Sequence, residues 1–391
     1  MFGPEPSVLI ACGAPPGNLG ARMAQALSAP LDWRKLAELA EMTGMLPMLS
    51  RALQTTDAVA RVPPEFAADV RARTSAKTLG SLVMAAELGR IMRSFEAAGI
   101  SALTFKGPAL AHVAYGSLSL RDATDLDIYV PREQVESAIA LLDSDGYRSL
   151  SPELRTDLAG TNEVALRRPT PKCDVDLHWQ FTPPYFLAFD GIRALKRSVT
   201  LSASGFSART LRVEDLLIYL CLHGARDCWS IRSSCDVAMI LRNCAIDWDD
   251  VMRETLRARC RRVLAVGLEL AARIFEATLP SEVLRYVEQD TSVGQIAAEI
   301  ATHMSRDEQD FGGAPGGALL HLRMIESLAG RARYLWRRAV QPNQLDADFV
   351  ALPRQFAAAY YAVRPVRIAL GCLGRLRPAS AAAVDSELPA R

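Results

Sequence analysis

Apolar residues recur at helical spacing in two long regions that precede and follow a region of shorter apolar runs. Within "AKTLGSLVMAAELGRIMRSFEAAGI", Leu82, Ala85, Leu88 and Met92 fall three or four residues apart, and Gly99 ends the pattern. The same periodicity returns in "RVEDLLIYLCLHGARDCW" and continues toward the C-terminus. The pattern therefore predicts helices over about 20–98 and again from about 213.

Between these regions the apolar residues form short runs that are typical of strands. The runs are "ISALTF", "LDIYV", "NEVALRR" and "CDVDLHWQF", and a proline-containing turn separates the last two. Helix-like segments follow the first two runs. We therefore expect an α+β protein, with a small mixed β-sheet core that has helices on one side and is flanked by N- and C-terminal helical regions.

These patterns divide the chain into five predicted parts. They are a flexible N-terminus (1–19), an N-terminal helical region (20–98), the sheet core (99–212), a C-terminal helical domain (213–377) and a disordered tail (378–391). The first residues lack a basic segment followed by a long apolar one, so no signal peptide is predicted. No run approaches the ~20 apolar residues of a membrane span, and we expect a cytoplasmic protein.

Charge gives no general direction to the function. The 391 residues include 45 Lys and Arg against 44 Asp and Glu, a formal net charge of +1. This balance does not indicate nucleic acid or membrane as a partner, although it is compatible with a local basic patch. Arginine-rich segments such as "GRARYLWRRAV" are either solvated helix faces or a patch that binds RNA or an acidic partner.

Paired aspartates are the first candidate for chemistry. Asp125 directly precedes the strand-like run "LDIYV", and Asp127 is its second residue. In an extended chain both side chains point to one side. Their like charges repel unless the carboxylates face water or hold a cation. Asp174, Asp176 and His178 alternate in the same way on a later strand. Two aspartates at one strand start and a third from a neighbouring strand are what a site for two Mg²⁺ ions requires.

A second candidate lies just upstream, where Lys106 and Gly107 mark a predicted strand-to-helix junction. Backbone N–H groups at a helix N-terminus attract phosphate, and glycine permits a close approach. Lys106 adds a positive charge at the same place. This combination predicts a phosphate-binding turn.

The stretch "GISALTFKGPALAHVAYGSLSLRDATDLDIYV" resembles the core of the bacterial uncharacterised nucleotidyltransferase family, within the DNA polymerase β-like nucleotidyltransferase superfamily. "VDLHW" and the helical "LLIYLCLHGARDCW" with "CDVAMIL" resemble later motifs of the family, and the resemblance covers most of residues 30–370. The matching positions are Lys106, Gly107, Tyr115, Arg121, Asp125, Asp127, Asp176, His178, Trp179, His223, Trp229 and Asp236.

The resemblance implies a Mg²⁺-dependent transfer of NMP from an NTP to an unknown hydroxyl or phosphate acceptor, with release of pyrophosphate. Asp125 and Asp127 would bind two metal ions, and Asp176 would complete the nucleophile-side ion and help to deprotonate the acceptor. The family pattern favours Asp176 over Asp174 as the third carboxylate, because it places the aspartate two residues before His178. Lys106 and Gly107 would hold phosphates.

Four residues keep two interpretations each. Arg121 either binds phosphate or pairs with a nearby acid such as Asp122. His178 either contacts a carboxylate or substrate, or is a structural histidine with its own hydrogen bonds. His223 is a helix-packing or a functional histidine, and Asp236 is an ion-paired or cap residue rather than a catalytic one.

The chain departs from the superfamily and family patterns at two positions, and the first departure motivates a non-catalytic alternative. The phosphate-binding turn reads Lys-Gly instead of Gly-Ser, and Asp227 stands where family members often have a second histidine. One alternative is a non-catalytic nucleotidyltransferase fold that acts as a binding or antitoxin-like module. Another is an accessory enzyme of peptide natural-product biosynthesis, since relatives of this type can occur beside such genes.

Overall fold

The computed structural model describes residues 2–150, 161–183, 186–203, 205–305, 315–342 and 344–372, and within them the chain is α+β, as predicted. The predicted tail 378–391 lies outside the described residues. The strands are β1 (Leu103–Thr104), β2 (Leu126–Tyr129), β3 (Arg148–Ser149), β4 (Glu163–Pro169), β5 (Lys172–His178), β6 (Val199–Ala203) and β7 (Phe206–Thr210).

Helices account for most of the remaining described chain. They are α1 (Pro4–Cys12), α2 (Pro16–Ala26), α3 (Trp33–Met42), α4 (Leu46–Thr55), α5 (Pro64–Ala97), α6 (Gly107–Tyr115), α7 (Val135–Ser144), α8 (Gly191–Arg197), α9 (Val213–Arg226), α10 (Ile231–Asn243), α11 (Trp248–Ala258), α12 (Arg261–Phe275), α13 (Ser281–Glu288), α14 (Ser292–Ser305), α15 (Pro315–Met324), α16 (Leu328–Val340), α17 (Gln344–Phe349) and α18 (Tyr360–Cys372). Short 3-10 helices cover Asp57–Arg61, Arg132–Gln134 and Arg354–Ala359. Among these helices none is both long enough and apolar enough to cross a membrane.

Residues 2–19 differ from the flexible segment that was expected for 1–19. They form α1 and the start of α2, and Val8 and Leu9 on α1 are fully buried in the larger hydrophobic core. The sequence of α1 is apolar almost all round, so it lacks the one-sided periodicity that marks a surface helix. A helix of this kind is stabilised by burial against other helices.

The sheet has seven strands in the order β3-β4-β5-β2-β1-β7-β6. Strands β2 and β5 are parallel, as are β1 and β7, and the other neighbours are antiparallel. The four predicted strands are confirmed as β1, β2, β4 and β5. The sheet is larger than expected because β3, β6 and β7 extend its edges, where short strands with a solvated face give a weak apolar signal.

Helices cover both faces of the sheet, so the expectation of helices on one side was wrong. Leu126 and Ile128 of β2 belong to a core with α5 and α7, whereas Tyr129 belongs to the core that contains α6 and α9. Successive strand residues point to opposite faces. Asp127 therefore lies on the face that α6 and α9 cover.

Candidate functional site

Two carboxylates and an imidazole meet where β2 and β5 run side by side. In this parallel pair Asp127 is the partner of Asp176, and Tyr129 is the partner of His178. One ligand atom each from Asp127, Asp176 and His178 lie within 4.8 Å of one another. Asp125 is outside this set and precedes the first residue of β2. The structure thus brings together three of the predicted residues.

The buried Asp127 carboxylate uses only one of its two oxygens. Its Oδ1 accepts from Lys106 Nζ at 3.0 Å and lies 3.2 Å from His178 Nε2. Its Oδ2 is buried without a hydrogen-bond partner in the described part of the chain. Burial alone would raise the pKa of Asp127, but Lys106 and His178 hold it well below its usual range.

His178 lies between two carboxylates. Its Nδ1 is 2.9 Å from Glu163 Oε2, an ion-pair distance without the alignment of a hydrogen bond. Burial disfavours the charged ring, yet Glu163 and Asp127 raise the pKa of His178 to about 9. The pKa of Glu163, which burial would raise, falls to about 2 beside His178. The imidazole therefore carries positive charge toward Asp127.

Glu163 was not among the predicted site residues, although the sequence contained a signal for it. Strands β4 and β5 form a hairpin around Thr170 and Pro171, and its register places Glu163 opposite His178. Opposite residues of an antiparallel pair share one face. Counting outward from the turn would have identified this contact.

Asp176 and Asp174 have different surroundings. Burial raises the pKa of Asp176 to about 6, helped by the Asp127 and Asp125 carboxylates and opposed by His178. Asp174 instead accepts two hydrogen bonds of 2.7 Å from Arg167 across the hairpin. Asp176 is therefore the aspartate that joins the cluster on β2.

Asp125 is partly exposed at the start of β2. Burial and the nearby Asp127 carboxylate raise the pKa of Asp125, while Lys106 opposes this shift. The Asp125 carboxylate also contributes to the raised pKa of Asp176. Neighbouring like charges of this kind favour a nearby cation.

Lys106 and Gly107 form the junction between β1 and α6, as predicted. Gly107 has φ +50°, and a Cβ there would lie 3.0 Å from the Asp125 carbonyl oxygen. Burial would lower the pKa of Lys106, but Asp127 raises it, so its side chain stays charged. The junction thus lies against the start of β2, and the charged Lys106 side chain pairs with Asp127.

The C-terminal end of α9 adds basic residues to the same face. Arg226 donates to His223 Nε2 at 3.0 Å and to both oxygens of Asp227. Burial first, and then Lys106 and Arg226, lower the pKa of His223 to about 3. His223 is therefore neutral, and Arg226 and Lys106 are the cations that face this part of the site. Arg226 was not predicted as a site residue.

Arg121 belongs to a buried ion pair that differs from both proposed contacts. Its guanidinium donates to Asp236 at 2.8 and 3.0 Å, and Tyr115 donates to the same carboxylate at 2.7 Å. Asp122 pairs with Lys77 instead. Asp236 is ion-paired, as one interpretation held, and the pair attaches the loop before Asp125 to α10.

A mixed sheet that carries Asp127 and Asp176, with Asp125 just before β2 and a lysine-glycine turn alongside, is an arrangement suited to a nucleotidyltransferase. The chain belongs to the uncharacterised nucleotidyltransferase family, whose sequence profile matches residues 29–276. The match includes β1 to β7 and every predicted site residue. No curated protein matches the chain.

Proposed function

We propose that this protein is a Mg²⁺-dependent nucleotidyltransferase that moves NMP from an NTP to a hydroxyl or phosphate acceptor. An acceptor oxygen would bond to the α-phosphorus as the bond between that phosphorus and its bridging oxygen breaks, and pyrophosphate would leave. Family membership supports the reaction class. The aspartates on β2 and β5 support the use of a divalent cation.

One observation carries the metal assignment: among the described residues no group hydrogen-bonds the buried Asp127 Oδ2, and the Asp176 carboxylate lies close to Asp127. A buried carboxylate oxygen without a hydrogen bond is costly, and a cation would remove that cost. Mg²⁺ takes oxygen ligands, including a few carboxylates and substrate phosphates. We therefore assign a Mg²⁺ ion to Asp127 and Asp176, and the family resemblance adds Asp125 and a second ion to this assignment.

His178 and Glu163 position this set. His178 contacts Asp127 Oδ1, which leaves Oδ2 directed away from the imidazole, and Glu163 lies on the opposite ring nitrogen. Outer-shell contacts of this kind fix the orientation of metal-binding carboxylates. When bound, the ions would polarise the triphosphate and lower the pKa of an acceptor hydroxyl.

Basic groups on the same face suit the triphosphate. Lys106 carries a charge at the start of α6, where Gly107 brings the backbone close to β2. Arg226, at the C-terminal end of α9, is close enough to Lys106 to lower its pKa. We assign the phosphates to Lys106, the Gly107 backbone and Arg226, because charged donors bind phosphate oxygens strongly.

A second candidate is a non-catalytic binding module with the same fold. The observation that favours it is the charge balance at Asp127, where Lys106 and His178 already supply two cationic contacts to Oδ1. A site neutralised in this way stays folded without a metal. This candidate predicts no Mg²⁺-dependent NTP binding.

Incubation with each α-labelled NTP, Mg²⁺ and a cell extract as the source of acceptor tests the reaction. We expect label transfer by the wild type and none by Asp127→Ala. Label transfer that survives this substitution contradicts the assigned site. Lys35→Gln, an exposed change on α3, is the matched control and keeps full transfer.

A further inference from the structure

A large cavity lies away from the aspartate cluster. Its volume is about 1470 Å³, and its walls come from the ends of β2 and β5, from α8, and from α11, α12, α16 and α18. Asp125, Asp127, Asp176, Lys106 and His178 do not line it. Its volume exceeds the roughly 300–1,000 Å³ of ordinary small-molecule sites. The cavity therefore suits a larger ligand.

Aromatic rings separate this cavity from the aspartate cluster. Tyr129 lines the cavity and stacks on Phe181 with ring centroids 4.9 Å apart. Phe181 in turn packs edge-on against Phe105, and Phe105 also packs against His178 and Tyr219. A ligand in the cavity would thus contact this aromatic wall and would not reach Asp127, Asp176 or His178.

Arginine dominates the charge of the cavity. Seven arginines line it, against five aspartates and glutamates. Two of those acids already form hydrogen-bonded ion pairs. Glu254 accepts from Arg193 at 2.6 Å, and Asp215 accepts from Arg197 at 2.9 Å. Exposed arginines on the rim therefore leave an excess of positive charge.

Two rim arginines are available to an incoming anion. Arg259, at the end of α11, and Arg333, on α16, are exposed, and no side-chain hydrogen bond or ion pair engages either within the described ranges. Their fixed positive charge suits phosphate groups. Two such groups from different helices of one cavity indicate a ligand with several negative charges.

Exposed aromatic side chains accompany these arginines. Trp336 on α16 is 69% exposed, and Tyr361 on α18 is 41% exposed, although large aromatic rings are usually buried. Trp179 forms part of the wall, with the Arg132 guanidinium 4.8 Å above its ring. Unpaired bases stack on such rings, whereas an acidic peptide offers no equivalent flat surface.

We propose that this cavity binds a segment of single-stranded nucleic acid, with phosphates on Arg259 and Arg333 and a base on Trp336. The size of the cavity, its arginine excess and its exposed rings all match that ligand. Paired bases cannot stack on Trp336, so a duplex fits less well. The proposal does not depend on the nucleotidyltransferase reaction, because no residue of the aspartate cluster takes part.

Fluorescence anisotropy with labelled single-stranded RNA, single-stranded DNA and duplex DNA of one sequence tests the proposal on the full-length protein. The wild type binds single strands more tightly than duplex, and the stronger of the two single-stranded ligands identifies the sugar. Arg259→Glu with Arg333→Glu lowers affinity at least tenfold. The same double variant reduces the slope of log affinity against log salt by about 1.4, or about 0.7 for each phosphate contact.

Trp336→Ala separates stacking from charge. It lowers affinity about tenfold without changing the salt slope, because a stacked base carries no counterion. Arg71→Glu with Arg93→Glu on α5 is the matched control, since both arginines are exposed and lie outside the cavity; it leaves affinity unchanged.

Three results would overturn the proposal. One is the absence of single-strand binding at low salt. Another is equal loss of affinity in the cavity variants and in the α5 control. The third is binding that polyglutamate displaces as well as an unlabelled oligonucleotide does and that Trp336→Ala leaves intact, which would identify a site for acidic polypeptides.

Discussion

Asp127 and Asp176 are direct partners on the parallel strands β2 and β5, and both carboxylates point to the face that α6 and α9 cover. Partners in adjacent strands point to the same face, so the register fixes the closeness of the two groups. Lys106 and His178 offset the charge of Asp127 on one oxygen only. The other oxygen and Asp176 form the part of the site that suits a cation.

Replacing Lys106 tests the phosphate assignment. Lys106→Gln removes a charge that we assign to the triphosphate, and we expect the KM for NTP to rise about tenfold, since hydrogen bonds to charged groups contribute about 1.5–3 kcal/mol. Steady-state kinetics measures the change. An unaltered KM, with Lys35→Gln behaving like the wild type, would place the phosphates elsewhere.

Gly107 tests the close approach of α6 to β2. Gly107→Ala forces alanine to φ +50°, with its Cβ 3.0 Å from the Asp125 carbonyl oxygen. We therefore expect the free energy of unfolding to fall by about 1–2 kcal/mol. Urea unfolding measures the loss. Gly80→Ala in α5 is the control, because its Cβ meets open space; it should stabilise the helix by up to about 1 kcal/mol. Equal effects of the two changes would refute the argument from close approach.

The buried Arg121–Asp236 pair makes a prediction about stability. Asp236→Asn leaves Arg121 without its charged partner, and we expect a loss of about 3 kcal/mol at neutral pH. Urea unfolding measures this loss. Glu38→Gln breaks the exposed pair with Arg34 on α3 and should leave the unfolding midpoint unchanged.

The same pair predicts a direction for the pH dependence. Burial would raise the pKa of Asp236, but Arg121 lowers it below its usual value. A carboxyl whose pKa is lower in the folded state stabilises the fold above its unfolded pKa of about 3.9, and this stabilisation is lost as the pH falls toward the folded value. The difference between the wild type and Asp236→Asn should be constant from about pH 8 to 5 and narrow below about pH 4. A difference that widens in acid would reverse the assigned sign.

The sequence alone predicts that Asp127 and Asp176 lie close together, because the signals for this are local. Asp127 and Asp176 each lie on a short apolar run with a period of two, and Lys106 precedes a glycine at a strand end. Once these runs are taken as neighbouring strands, the side chains converge. The family pattern favoured Asp176 over Asp174, and the contact between Arg167 and Asp174, which only the structure shows, leads to the same choice.

The remaining features depend on contacts between distant residues. Arg121 and Asp236 are 115 positions apart, so a search for nearby acids pointed to Asp122 instead. Arg226 reaches the site only because α9 packs on the sheet, and α1 is buried by α2, α3 and α4 together with the distant α12. Local periodicity does not contain such relationships. The boundaries proposed for the separate domains stay predictions for the same reason.

Calorimetric titration of NTP into the protein, with and without Mg²⁺, tests the central claim most directly. We compare the wild type with Asp127→Asn and with Asp174→Asn. The second variant is the matched control, because Asp174 lies on β5 but pairs with Arg167 outside the cluster. The account predicts saturable, Mg²⁺-dependent binding by the wild type and Asp174→Asn, and none by Asp127→Asn. Binding that is independent of Mg²⁺, or that Asp127→Asn retains, would contradict it.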